Sequence, residues 1–125
     1  MITVSIVSHG HGRMVDALLG DLLVCPEVTR VVLTINVPEA EAVVPALLAE
    51  RVVVLRNAVP KGFAANHNAA FAHCATPFYC VLNPDVRFAS NPFPALLDCL
   101  SERVALCAPA VISPTAEIKD SARRF

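Results

Sequence analysis

The chain is predicted to fold as an α/β domain, a mostly parallel sheet with helices on both faces. Three observations carry that prediction. Short runs of β-branched residues alternate with stretches of helical period from the N-terminus onward. Most of the strand-sized runs stop at polar or turn-forming residues, as parallel strands do where they enter loops. The hydrophobic share is 55%, above the roughly 45–50% of an average soluble domain, as strands covered on both faces require.

Ile2-Thr3-Val4-Ser5-Ile6-Val7-Ser8 breaks at His9-Gly10-His11-Gly12 and reads as the first strand. From Arg13 the period becomes helical, with Met14, Leu18 and Leu22 on one face, Val15, Leu19 and Leu23 beside them, and Cys25-Pro26 as the stop. Val31–Ile35 is a second strand, followed by the turn Asn36-Val37-Pro38-Glu39. A short helix is expected over Ala40–Glu50, irregular or delayed at Pro45. Arg51–Leu55 is a third strand ending in Arg56-Asn57, and Val59-Pro60-Lys61-Gly62 leads into an alanine-rich helix. There Phe63, His67, Ala70, Phe71 and Cys74 share one face, while Thr76-Pro77 closes the helix.

Phe78-Tyr79-Cys80-Val81-Leu82 is expected to be a buried strand, ended by Pro84, which cannot donate to a ladder. Asn91-Pro92 then caps a helix that turns Phe93, Leu96, Leu97 and Leu100 inward, and Val104–Ala108 is a fifth strand. Regularity fades from Val111.

At 125 residues the chain is sized for one domain, 1–125, with a sizeable core. A formal net charge of -1 gives no electrostatic footprint for nucleic acid. Apolar segments are strand-sized and the first residues lack the charged region of a signal peptide, so a cytoplasmic protein is expected, at most peripheral to the inner face of the membrane. The five cysteines, at 25, 74, 80, 99 and 107, form no Cys-x-x-Cys pair and read as small buried hydrophobes. The high apolar content also fits a surface covered by a partner or a second copy, so self-association is a further expectation.

Ligands of open α/β sheets gather outside the carboxyl ends of the strands. Four such ends here carry polar groups: Ser8 and His9, Asn36, Asn57 with Lys61 and Gly62, and Asn83 with Asp85. That placement suggests a nucleotide or phosphorylated ligand. Lys61-Gly62 before a helix can offer a cation, a close backbone approach and free N–H groups to an anion. Asp85, directly after a strand, can hold a cation. P-loop, dinucleotide and Gly-x-Ser-x-Gly signatures are absent. His9 and His11 alone do not make a metal site, and His67 reads as a hydrogen-bonded core residue.

Taken in order, several segments resemble the family 2 glycosyltransferases, above all their rhamnosyltransferase-type members. They are Val4-Ser5-Ile6-Val7-Ser8, Asn57 with Lys61-Gly62-Phe63-Ala64-Ala65-Asn66-His67-Asn68, Leu82-Asn83-Pro84-Asp85-Val86, and Asp120-Ser121-Ala122-Arg123-Arg124-Phe125. The resemblance implies a GT-A fold, a dTDP- or UDP-sugar donor, a divalent cation such as Mg²⁺ or Mn²⁺, and inversion at the anomeric carbon. It implies that Asp85 is the metal or diphosphate contact, that Ser8 and His9 lie by the base or ribose, that Asn57 and Lys61 lie near base and phosphates, and that Asn66 lies near the sugar or diphosphate.

Many members end the second strand in Asp-Asn. Here Ile35-Asn36 stands in that place, and only Asn36 carries over. The family's catalytic carboxylate comes from a later stretch, and no residue of this sequence matches its position. The expectation is therefore a truncated GT-A-like domain, the donor-binding part of an inverting transferase. The alternative is a non-catalytic module of the same fold that pairs with itself or with a partner. A nucleotidyltransferase fits less well, because it would want a glycine-rich, arginine-containing loop that Ser8-His9-Gly10-His11-Gly12-Arg13 matches poorly.

Overall fold

A computed structural model describes residues 1–113, 115, 117 and 118. They belong to two compact units, Met1–Ala89 and Ser90–Phe125. The last segment of the resemblance, Asp120–Phe125, lies outside the described residues.

The first unit alternates strand and helix: β1 (Ile2–Ser8), α1 (Gly12–Leu22), β2 (Val28–Ile35), a 3-10 turn (Ala46–Arg51), β3 (Val52–Arg56), α2 (Phe63–Phe71) and β4 (Phe78–Leu82). The strands form one all-parallel sheet in the order β3-β2-β1-β4. The chain steps one way from β1 to β2 and β3, then crosses back to β4. Right-handed crossovers in opposite directions place α1 and α2 on opposite faces.

Register explains how the two faces differ. Val4 pairs with Val31 and Cys80, and Ile6 pairs with Leu33 and Leu82, giving one face of apolar side chains. Val4, Ile6, Val31 and Leu33 are fully buried, as are Val15, Leu18, Leu19 and Leu22 of α1. Thr3 and Ser5 point the other way, toward α2, where Ser5 Oγ lies 2.8 Å from His67 Nδ1. This second face carries buried polar groups, several of them bonded across the sheet, as Thr3 Oγ1 is to Thr76 Oγ1 at 2.8 Å.

Several sequence expectations are corrected. Met14, predicted on the inner face of α1, is half exposed, because Val15 and Leu19 complete the buried stripe with Leu18 and Leu22. The expected helix over 40–50 is only the 3-10 turn. Pro45 is extended there, at ψ 137°, and delays the start. Of the predicted inner face of α2, His67 and Ala70 are buried and Asn66 joins them, whereas Phe63 and Phe71 are exposed. β4 is an edge strand and only partly buried, with Phe78 and Val81 exposed. An apolar run has the same composition at the edge of a sheet as at its centre, so sequence does not separate the two.

The cysteines are all free, yet only Cys25 is buried and Cys99 is exposed. In the second unit α3 spans Phe93–Cys99, one residue later than predicted, with Asn91 Oδ1 accepting the Phe93 N–H at 3.1 Å. The predicted fifth strand over 104–108 does not form. Val104 makes an isolated antiparallel bridge to Ser101, and Leu106 is exposed. Without a long partner strand, an apolar run gains no ladder.

Candidate functional site

The strand order reverses at β1, between β2 and β4, and a crevice opens beyond the carboxyl ends there, as the topology of open α/β sheets dictates. A cavity of about 310 Å³ occupies that place, lined by His9 and His11 after β1, Asn36 after β2, Lys61, Phe63, Asn66 and His67 around the start of α2, and Asn83-Pro84 after β4. Its wall includes no carboxylate.

Three asparagines build one side of it by clamping the backbone of a single residue, Lys61. The Asn36 N–H bonds to the Ser8 carbonyl at 2.8 Å and the Asn57 N–H to the Ile35 carbonyl at 3.0 Å, which carries the sheet pattern one residue past the strands. Asn36 Oδ1 accepts the Lys61 N–H at 2.8 Å, and its Nδ2 donates to the Lys61 carbonyl at 3.0 Å. Asn57 Nδ2 donates to Asn36 Oδ1 at 2.9 Å and to Asn66 Oδ1 at 2.7 Å. Asn66 Nδ2 closes the ring on the Lys61 carbonyl at 3.0 Å. Asn36 and Asn66 are buried, and the network meets the hydrogen-bonding capacity that burial would otherwise strand.

This clamp places the end of the loop and the beginning of α2. Gly62 caps α2 with no side-chain cap, so the first N–H groups of the helix are unsatisfied within it. A Cβ added at Gly62 would meet nothing within 4 Å, and its φ of −69° suits any residue. Neither conformation nor protein packing demands glycine here. The open space in front of the backbone is the one feature glycine preserves. Lys61 is exposed and makes no ion pair among the described residues.

The same network sets the protons on the histidines. Because Asn36 Oδ1 takes the Lys61 N–H, its Nδ2 must face His9, and His9 Nδ1 accepts at 2.9 Å. His11 Nδ1 accepts the His9 backbone N–H at 3.0 Å. Both imidazoles therefore carry their proton on Nε2. Gly10 makes this turn possible, at φ 78°, the left-handed region that glycine enters without strain. Ser8 is buried below, its Oγ accepting the His11 N–H at 3.2 Å.

Asp85 lies elsewhere. It lines a neighbouring hollow of about 300 Å³ with Arg13, Met14, Ala17, Pro84 and Arg87, and Pro84 is common to both cavities. Arg87 and the Phe88 N–H grip Asp21 of α1: Nε to Oδ2 at 2.6 Å, Nη2 to Oδ1 at 2.9 Å, and N to Oδ2 at 3.2 Å. The Arg87 guanidinium, with the Phe88 N–H, holds the Asp21 carboxyl below its ordinary value against the opposing effect of burial. The loop bearing Asp85 is thereby tied to α1, while Asp85 itself is exposed. No cluster of three His, Cys, Asp or Glu able to hold a metal occurs among the described residues. A divalent cation at Asp85 would need ligand phosphate oxygens and water to complete its shell.

Of the residues predicted from sequence, His9, Asn36, Lys61, Asn66 and Asn83 line the cavity. Asn57 stands behind it in the clamp, and Ser8 supports the histidine loop. Gly62 is the cap, and Asp85 occupies the adjoining hollow. Sequence reasoning missed His11 and Phe63 as wall residues and took His67 for core alone. The His9-Gly10-His11 repeat was the available signal for His11. No family model, curated protein or solved structure matches this chain.

Proposed function

We propose that this chain binds the nucleotide-diphosphate sugar of an inverting glycosyl transfer, on a GT-A-like fold of the family 2 type that its motifs resemble. The observation that carries the reading is the clamped Lys61 backbone, which fixes the open start of α2 and the root of the Lys61 side chain beside a cavity whose wall has N–H donors and no carboxylate. Such a wall favours an anion with acceptor oxygens, as diphosphate is. The nucleoside lies toward His9 and Asn36, and the diphosphate extends from Lys61 toward Asn83 and Asp85.

In the transfer, the bond from the anomeric carbon to the diphosphate breaks while the acceptor hydroxyl oxygen attacks from the opposite face and its proton passes to a general base, a role assigned to no residue of this chain. Lys61 and the α2 N-terminus stabilise the charge gathering on the departing diphosphate. Asp85 would hold a divalent cation, Mg²⁺ or Mn²⁺, which would supply Lewis-acid stabilisation of the leaving group. Titration calorimetry with UDP- and dTDP-sugars in the presence of Mg²⁺ or Mn²⁺ tests the reading, and a folded protein that binds none of them contradicts it.

A second reading has its own observation. Phe71 on α2 and Phe78 and Val81 on the edge strand β4 are exposed, which suits a module that pairs with a second copy through that edge. Sedimentation velocity separates the two: concentration-dependent dimerisation without nucleotide binding favours the module.

A further inference from the structure

The hydrogen bonds of the clamp decide which wall residues have anything left to give a ligand. Asn36 has nothing left. Its Oδ1 accepts from the Lys61 N–H at 2.8 Å and from Asn57 Nδ2 at 2.9 Å, and the two hydrogens of its Nδ2 go to the Lys61 carbonyl at 3.0 Å and to His9 Nδ1 at 2.9 Å. A side-chain amide makes two bonds of each kind, so this one is complete. Asn57 has likewise spent both of its amide hydrogens, on Asn36 and Asn66. These two asparagines, which read as ligand contacts in the sequence, hold the Lys61 loop instead.

The turn His9-Gly10-His11 is the reverse case. Each imidazole has its Nδ1 bonded by a group that can only donate: Asn36 Nδ2 for His9, and the His9 backbone N–H, at 3.0 Å, for His11. A neutral ring that accepts at Nδ1 carries its proton on Nε2, so each ring keeps one N–H donor that no group among the described residues takes. Both rings line the cavity; His9 is exposed and His11 half-buried. Protein groups alone hold the turn in place, since Ser8 Oγ accepts the His11 N–H at 3.2 Å and Gly10 supplies the left-handed bend at φ 78°. A pair of donors set before the ligand arrives loses little freedom on binding.

We infer that His11 is a ligand-contacting residue beside His9, and that the two rings donate Nε2–H hydrogen bonds to acceptor oxygens of the bound ligand, with Asn36 a positioning residue for His9 and Lys61. The inference rests on the nucleotide-binding reading above. A nucleotide carries such oxygens in two places, on the nucleoside and on the diphosphate. Two substitutions at position 11 separate the ring's two nitrogens. Asparagine keeps an acceptor on Cγ for the His9 N–H and has no atom where Nε2 stands, whereas glutamine reaches that place with an amide N–H and gives up the acceptor on Cγ.

Long-range proton–nitrogen correlation spectra of the full chain with nitrogen-labelled histidine, taken at about pH 8 where imidazole is neutral, read both ring nitrogens directly. The free protein is expected to show His9 and His11 with bare Nδ1 and protonated Nε2. UDP with Mg²⁺ is expected to move both Nε2–H signals without changing the tautomers. His11→Asn is expected to bind UDP about tenfold more weakly at an unchanged melting temperature, and His11→Gln to recover most of the affinity. Uridine and inorganic diphosphate, added separately, show by which of them reproduces the shift which oxygens the rings hold; a shift from neither overturns the inference. A proton on Nδ1 of either ring in the free protein also overturns it. UDP that binds with the His11 signals unmoved, or that binds His11→Asn as tightly as the wild type, overturns it and leaves the nucleotide reading standing. Absence of any nucleotide binding overturns both.

Discussion

Lys61 contributes two separable things, a backbone peptide that the asparagines hold and a side chain that they do not touch. Lys61→Ala is therefore expected to keep the wild-type melting temperature, because every clamp bond survives, while weakening nucleotide-diphosphate binding about tenfold or more. Asn36→Ala does the opposite. It strands the Lys61 N–H, and losing a buried partner costs roughly 1–3 kcal/mol, to be read by chemical denaturation. Gly62→Ala lies between: stability changes by only a few tenths of a kcal/mol, since the added Cβ meets no protein atom, whereas ligand affinity falls if the backbone there meets a phosphate.

His67 gives stability a pH signature. Its folded-state pKa is lowered by burial below the ordinary 6.5, so the unfolded chain takes up the proton first as pH falls. Its contribution is complete above 6.5 and is lost as pH drops from there toward the folded value. Denaturant midpoints measured across that window should decline with acidity in the wild type and less steeply in His67→Gln.

The order of strands and helices in the first unit and the polar strand ends were legible in the sequence, because both follow from local pattern, although α1 and α2 end at Leu22 and Phe71, ahead of the expected stops at Cys25-Pro26 and Thr76-Pro77. What each element touches was not legible. The helical period of the stretch from Phe63 placed His67 and Ala70 on the inner face together with Phe63 and Phe71, yet α2 turns both phenylalanines out and adds Asn66 to the buried side, since its partners are Ser5 of β1 and the Lys61 carbonyl rather than an apolar layer. Likewise Asn36, Asn57 and Asn66 read as ligand contacts one by one, and only the fold reveals that they bond each other. The pairing of Asp21 with Arg87 spans 66 residues and leaves no local trace.

At this scale the tie between α1 and the loop after β4 is a testable device. Asp21→Asn removes the charge that grips Arg87 and is expected to loosen the Asp85 loop, weakening metal-dependent ligand binding more than metal-independent binding, with a modest drop in melting temperature. In wild type the same bond persists above the ordinary carboxyl value of 3.8 and is lost as pH falls through the lowered folded value. Calorimetry with and without Mg²⁺ reads the first effect. Leu19→Ala, in the fully buried stripe of α1, should cost about 2–5 kcal/mol and leave the relative ligand preferences unchanged.

Across the first unit, the order β3-β2-β1-β4 produces one place where neighbouring strand ends lead to opposite faces, and the candidate site is there. The apolar face of the sheet supplies the stability. The polar face, with Ser5, His67 and Tyr79, leads into the cavity. That division explains why a chain so rich in apolar residues still carries a buried polar ring. It also explains why β4, with its exposed Phe78 and Val81, resembles a central strand in sequence while lying at the edge.

The central claim is that the clamped Lys61 presents its charge to a nucleotide diphosphate. Its most direct test is calorimetric titration of UDP and dTDP, with Mg²⁺, into wild-type protein and Lys61→Ala in parallel. The account predicts saturable binding by the wild type and at least about tenfold weaker binding by an equally stable variant. No binding by the folded wild type, or equal affinity in both, would contradict it.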